Sequence, residues 1–369
     1  MNYGFAPGGT PQDGRVRLLF ARRPNTTLIA AQRGRTVVRQ FIGHLNTSPA
    51  ITRPVDDLLL GAHANDEGFL FAPMFAGQNG ATTFETLEAT LADPNKSIVI
   101  PNPLIGFTAG DPITHSFHIK GCNIGKAAPF LTKLKEALGD NVNVTAPKHF
   151  HGITEYAAQG VWEWMAYEYK ISQRDPFANQ AAAIAEFTAQ NFTRIDGSTV
   201  PATEWAGWIP NRITQTDSRV ITVNLGQTIG RRSTIQAIQE FRVRRGQFNY
   251  TITFPNSQSV PTTQPDREQA LDQSLNSNPL FDAVHPFPEY VRWGYTSIAD
   301  FLAGYQWTFS RSGAVLVCVG RRWEYTMLVP ILDLATGDII FNFYPNAGSP
   351  QAPITTGLQE SDTDYFETV

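Results

Sequence analysis

The chain has 369 residues, 42% of them hydrophobic and 17% charged, which supports a sizeable core in two domains, or in one domain with a large elaboration. Its net charge of −4 gives no basic field for nucleic acid, and no apolar run is long enough to span a bilayer. Two cysteines make neither a disulfide framework nor a CxxC pair, so a reducing cytoplasm is the default expectation.

Residues 1–14 (MNYGFAPGGTPQDG) read as a flexible Gly/Pro-rich arm without the character of a secretory signal. Arg15–Arg22 alternates, with Val16, Leu18 and Phe20 on one face, and predicts a strand. Arg33–Leu45 predicts a helix from Val37, Phe41 and Leu45 at a spacing of four. Val55–Ala62 is a short apolar run suited to a buried strand. Thr83–Leu91 predicts a helix capped by Thr83, with Glu85 in its first turn. Thr114–Gly121 reads as a strand, and Lys126–Leu138 as a helix whose apolar stripe ends at Gly139. Asn141–Ala146 and Val161–Ile171 read as further strands. This alternation over residues 15–175 predicts an α/β domain: a mostly parallel sheet flanked by helices.

The remainder, residues 176–350, predicts an α+β region with antiparallel hairpins. A helix is expected from Asp175-Pro176 to Phe192, and residues 255–280 read as a polar surface loop. Ala314–Val319 and Tyr325–Leu332 read as strands, with a hairpin turn at residues 335–338 before Ile339–Tyr344. Residues 351–369 read as a mobile acidic tail. The pairs Arg231-Arg232 and Arg321-Arg322 and the run Arg242–Arg245 read as solvated faces.

Two strand ends carry the candidate chemistry. His63 follows the run LLLGA, and Cys122 follows HIKG. In a parallel sheet the carboxyl ends of the strands share one edge, where ligand sites gather. If the two strands are neighbours, His63 and Cys122 meet across 122 − 63 = 59 residues. A helix start close behind the cysteine favours its thiolate, and an imidazole can take the thiol proton and return it to a leaving group. Backbone N–H groups at Cys122 and Ala64 could hold an oxyanion, and Gly121 permits close approach of the backbone. The bland alternative for Cys122 is a buried core thiol, which is also the expectation for Cys318. His115, His118, Cys122, His149 and His151 are conceivable metal ligands, yet no HxxxH or CxxC spacing backs a zinc site, so neither metal nor cofactor is expected. The aromatic run at 161–171 reads as a half-buried strand, and no P-loop, dinucleotide fingerprint or serine-hydrolase elbow is present.

The stretches Leu58-Leu59-Leu60-Gly61-Ala62-His63-Ala64 and Ile119-Lys120-Gly121-Cys122-Asn123-Ile124-Gly125 resemble, in order and strand context, the caspase-like superfamily of cysteine peptidases. That resemblance covers the pattern of residues 15–175. It implies a cysteine endopeptidase acting on a peptide or protein substrate, with Cys122 as nucleophile, His63 as base and then acid, and the N–H groups of Cys122 and Ala64 as oxyanion hole. Gly121, Asp66, Glu67, His149 and His151 are the candidate cleft residues. The sequence departs from the family in having Ala64 where glycine usually follows the histidine. This keeps open a second expectation: a non-catalytic scaffold that binds a protein partner.

Overall fold

The computed structural model describes all residues except 33, 157–158, 212, 214–218, 230–232, 334–338, 351 and 356–357. For 156, 219–229 and 233–238 it describes the backbone alone. The chain divides into two compact units, one made of residues 1–166 and 330–369, the other of residues 167–329.

The first unit is α/β. Its sheet contains β1 (Asn2–Phe5), β2 (Thr26–Ile29), β3 (Leu58–Gly61), β4 (Ser116–Lys120), β5 (Asn143–Pro147) and β14 (Phe366–Thr368). Their order is β14-β5-β4-β3-β1-β2, parallel except for β14. One face meets α1 (Pro11–Arg22): Gly4 and Gly61 are the side-chain-free positions against Phe20 and Val16 of that helix. The opposite face meets α2 (Val38–Thr47), where Phe5 and Phe41 stack with centroids 4.9 Å apart. The helices α3 (Phe84–Ala92), α4 (Asn102–Ile105) and α5 (Ala128–Leu138) complete the layers. A further antiparallel group adds β6 (Phe150–Tyr156), the start of β7 (Gly160–Gln173), β12 (Phe341–Pro345) and β13 (Ile354–Thr355).

The second unit contains α6 (Gln180–Ala189), α7 (Ala202–Trp208), β8 (Arg219–Ile229), β9 (Ser233–Thr253), α8 (Gln264–Asn276), α9 (Glu289–Arg292), α10 (Ile298–Ala303), β10 (Gln306–Ser312) and most of β11 (Val315–Pro330). Its strand pairs β8–β9, β9–β11 and β10–β11 are antiparallel. One aromatic core gathers Trp205, Phe187, Tyr169 and Tyr325, and another gathers Phe281, Phe301, Tyr305 and Leu316.

Several expectations are corrected. Residues 1–14 are not an arm: Asn2–Phe5 is an interior strand, and α1 already begins at Pro11. Arg15–Arg22 is helical because Thr10 and Asp13 form a capping box, Pro11 suits the first turn, and Val16, Leu19 and Phe20 bury one face at helical spacing. The expected helix 33–45 starts only at Val38, and the one expected from Asp175 starts at Gln180, where Asn179 accepts from the Ala182 N–H at 2.9 Å. Within 255–280 lies the thirteen-residue α8, capped by Thr263; its buried stripe is only Leu271 and Leu275, too narrow to register as a periodic pattern. Ala314–Val319 and Tyr325–Leu332 belong largely to one continuous strand, β11. The turn at residues 335–338 and the pair Arg231-Arg232 lie outside the described residues. Leu332 bridges Ile339.

The segment 351–369 is not a mobile tail in its described part. Phe366 is buried, β14 pairs with β5, and Glu360 forms ion pairs with Arg23 and Lys120. The boundaries expected at 175 and 350 are likewise replaced, since the chain leaves the first unit at 166 and re-enters it at 330. Nor is Arg322 a solvated residue. Its side chain is buried among the rings of Trp293, Tyr295 and Tyr305, each 5.2–5.4 Å from the guanidinium carbon.

Candidate active site

The site is built from two adjacent parallel strands. β3 and β4 pair with Leu58 opposite Phe117 and Gly61 opposite Lys120, an offset of 120 − 61 = 59. The same offset separates His63 and Cys122, each two residues past the last pair of the ladder. The Ala62 N–H still donates to the Lys120 carbonyl at 3.3 Å. Neighbouring strands lie about 5 Å apart in this direction. Gly121 fits tightly against the other loop: a Cβ there would lie 2.7 Å from the Ala62 carbonyl oxygen and 2.8 Å from the Ala64 methyl.

Side-chain direction follows the two-residue period. Leu59 and Gly61 face α1, and the next position on that face is His63. His63 is exposed, and its Nε2 lies 3.4 Å from the hydroxyl of Thr10 at the start of α1. On β4 the same face carries His118 and Lys120, and Cys122 follows two positions past the strand's end. Cys122 is half-buried, and its thiol donates to the His151 carbonyl at 3.5 Å.

Ala64 bridges Leu70, with bonds from Phe71 N–H to the His63 carbonyl (2.8 Å) and from Asn65 N–H to the Phe69 carbonyl (3.1 Å). This alternation turns the Ala64 N–H away from Leu70, and it donates to no described residue. Asp66 and Glu67 sit in that same turn, half-buried, with Glu67 accepting from the Asn65 side chain at 2.9 Å.

The helix expected from Lys126 starts two residues later. A 3-10 turn, Ile124–Lys126, comes first, and α5 begins at Ala128. The feature adjoining Cys122 is therefore a tight turn. Asn123 takes a positive φ of 54° and donates its N–H to the His149 carbonyl at 3.0 Å.

The histidines at 149 and 151 reach the cysteine loop through their backbone carbonyls, and their rings point elsewhere. The His149 ring meets the Asp364 carbonyl at 3.1 Å and the edge of Tyr365, and burial, with Lys126 and Lys148 nearby, pushes its pKa down to about 4. The His151 ring is buried and bonds Glu163 at 2.8 Å. His115 meets the Asp56 carbonyl at 2.8 Å and His118 lies 3.8 Å from Asp57. Among the described residues no three acidic, histidine or cysteine side chains converge as a metal site. Cys318 is a core residue of the second unit, and burial pushes its thiol up to about 11.

Below Cys122, on the same face, lies a buried ionic cluster that sequence reasoning did not anticipate. The Lys120 ammonium reaches Glu163 at 2.6 Å and Glu360 at 2.7 Å, and stands over the Phe366 ring. Glu163 also takes the His151 imidazole and the Asn342 amide, and Glu360 takes Arg23. Burial alone would raise both carboxyls, but the cations beside them hold both below the usual range. The available signal was complementary: a lysine inside the apolar strand FHIK and a single acid in the aromatic run VWEWMA.

No family model matches the sequence, and neither the curated proteins nor the solved structures contain a match. Among the described residues no helix is long and apolar enough to cross a membrane.

Proposed function

We propose that the chain is a cysteine hydrolase and, more narrowly, an endopeptidase of caspase-like build. The observation that supports this reading is the β3–β4 register: His63 and Cys122, each two residues past the last pair Gly61–Lys120, share its offset of 59 residues at the carboxyl ends of adjacent parallel strands. In such sheets this edge is where ligands bind. Cys122 attacks the scissile carbonyl carbon as His63 takes its proton. The proton passes to the leaving amine, the acyl group stays on sulfur, and water then releases it with His63 again as base. The Ala64 N–H, which has no described acceptor, suits the developing oxyanion, and the Ala64 methyl borders that path. Neither cysteine forms a disulfide among the described residues, which accords with a reducing cytoplasm. A regulatory protein partner fits this reading.

The test is labelling with a set of peptidyl chloromethyl ketones, read by mass spectrometry at Cys122. Cys122→Ala should abolish labelling there, and His63→Ala should slow it by roughly 10²-fold or more. Labelling of His63→Ala at the native rate removes the hydrolase reading. A second reading, a partner-binding module without catalysis, draws on a specific observation: the His63 Nε2 and the Cys122 thiol each engage a different neighbour, Thr10 and the His151 carbonyl. Binding of one protein partner that is unaffected by Cys122→Ala, together with no labelling, would favour it.

A further inference from the structure

The loop between β1 and α1 is a built device. Asp13 is buried, and its Oδ2 accepts the Thr10 N–H at 2.8 Å and the Thr10 hydroxyl at 2.6 Å. Gly8 passes directly over this carboxyl, where any Cβ would overlap it. Arg17 reaches back to the carbonyls of Ala6 (3.2 Å) and Gly8 (2.6 Å). Asp13 thus holds Thr10 directly, while Gly8 and Arg17 brace the loop around that carboxyl. What the held hydroxyl then meets, 3.4 Å away, is the Nε2 of His63.

Hydrogen counting fixes the direction of that contact. A threonine hydroxyl has one proton and two lone pairs. The proton goes to Asp13, which as a carboxylate can only accept. One lone pair faces the Asp13 N–H at 3.3 Å. Toward His63 the oxygen can therefore only accept, and Nε2 must carry the hydrogen. Nδ1 is left as the basic nitrogen of the neutral ring.

We propose that Thr10, locked by Asp13, is the positioning residue of His63: it selects the Nε2–H tautomer and leaves Nδ1 to take the Cys122 proton. The consequence for catalysis rests on the hydrolase reading, whereas the tautomer does not. The arrangement has the logic of a nucleophile, a base and a third group that orients the base. Here the third group is a hydroxyl backed by a buried carboxylate.

The experiment has two arms on the full chain. Long-range 15N–1H correlation spectra of the wild type, with His63 assigned by loss of its signals in His63→Gln, should show the Nε2–H form. A dominant Nδ1–H form overturns the proposal without any variant that must fold. Thr10→Val keeps the shape, removes the acceptor, and should mix the tautomers; Thr10→Ser should restore the wild-type spectrum. In the second arm, the pH profile of iodoacetamide alkylation at Cys122 is followed by peptide mass spectrometry, with Cys318 as internal reference. Thr10→Val should lower the rate near neutral pH by roughly tenfold, a modest part of what a placed base contributes, and Thr10→Ser by less than about twofold. An unchanged tautomer and an unchanged profile in Thr10→Val overturn the proposal. If the tautomer follows Thr10 while His63→Ala alkylates at the native rate, the positioning of the ring by Thr10 stands and the hydrolase reading falls.

Discussion

Replacing Lys120 by methionine removes one cation from the buried cluster and leaves its shape nearly unchanged. The Lys120 side chain has no solvent exposure, and its nitrogen lies within 2.7 Å of both Glu163 and Glu360. Without it, two carboxylates that shared one ammonium face each other in a poorly solvated interior. Removing one partner of a buried ion pair costs about 3–5 kcal/mol. The lower part of that range is expected, because Glu163 keeps His151 and Asn342 and Glu360 keeps Arg23. Urea unfolding followed by far-UV circular dichroism, with hydrogen exchange of the β4 amides as local readout, measures the loss. The deficit should shrink as pH falls from 7 to 5, because carboxyls deprived of the ammonium protonate more easily. Lys120→Met combined with Glu163→Gln should recover part of it. A loss below about 1 kcal/mol, or one independent of pH, refutes the account of Lys120 as the cluster's central charge.

Three further outcomes follow from the same contacts. Gly121→Ala would place a methyl 2.7 Å from the Ala62 carbonyl oxygen, so a loss of about 1–3 kcal/mol is expected, with slower alkylation of Cys122; native values of both would refute the close packing. His149, held down to about 4, stays neutral where an unfolded histidine takes a proton, so this group's contribution is full above about pH 6.5 and falls toward pH 4. An NMR midpoint near 6.5 for His149 would contradict the desolvation of its half-buried ring. For Glu163 and Glu360 the folded pKa values are depressed, so their contribution is present above the ordinary carboxylate range and is lost as pH falls below about 4.3. Glu360→Gln should flatten the acid limb of the stability curve, and an unaltered limb would show that Glu360 does not contribute to it.

Elements defined by local signals were legible in the sequence. Thr83 caps α3, accepting from Thr86 as its position predicts, and Gly139 ends α5 in the left-handed region with φ 105°. The apolar runs of β3 and β4 sufficed to place His63 and Cys122 at strand ends, and their pairing made that placement geometric. What escaped depended on partners distant in sequence. Asn2–Phe5 is only four residues long and becomes a strand because β2 and β3 flank it. Glu360 looks like one more acid in a polar tail until Arg23, 337 positions away, and Lys120 enclose it. In α1, by contrast, the local signal was present and misread: the Thr10–Asp13 box outweighs the apparent two-residue alternation of RVRLLFAR.

The ionic cluster and the candidate dyad belong to one row of the sheet, and this gives the cluster a role beyond stability. His63 lies two positions past Gly61, the last residue of β3, as Cys122 lies two past Lys120, the last residue of β4 and on the same face as Gly61. A one-residue slip of β4 would turn Lys120 to the opposite face. Lys120 would then leave Glu163 and Glu360 and enter the side where Leu58, Leu60, Phe117 and Ile119 are buried. An unpaired ammonium there costs far more than a surface contact could return. Ile119 would in turn meet two ionised carboxylates. The cluster therefore specifies the register of β4 more sharply than apolar residues could, since Phe117 and Ile119 would tolerate other apolar neighbours. On the proposed reading, that register is what sets Cys122 level with His63. On this reasoning, Lys120→Met with Glu163→Gln and Glu360→Gln can recover stability yet widen the spread of Cys122 alkylation rates, because the apolar replacement no longer penalises the slipped pairing.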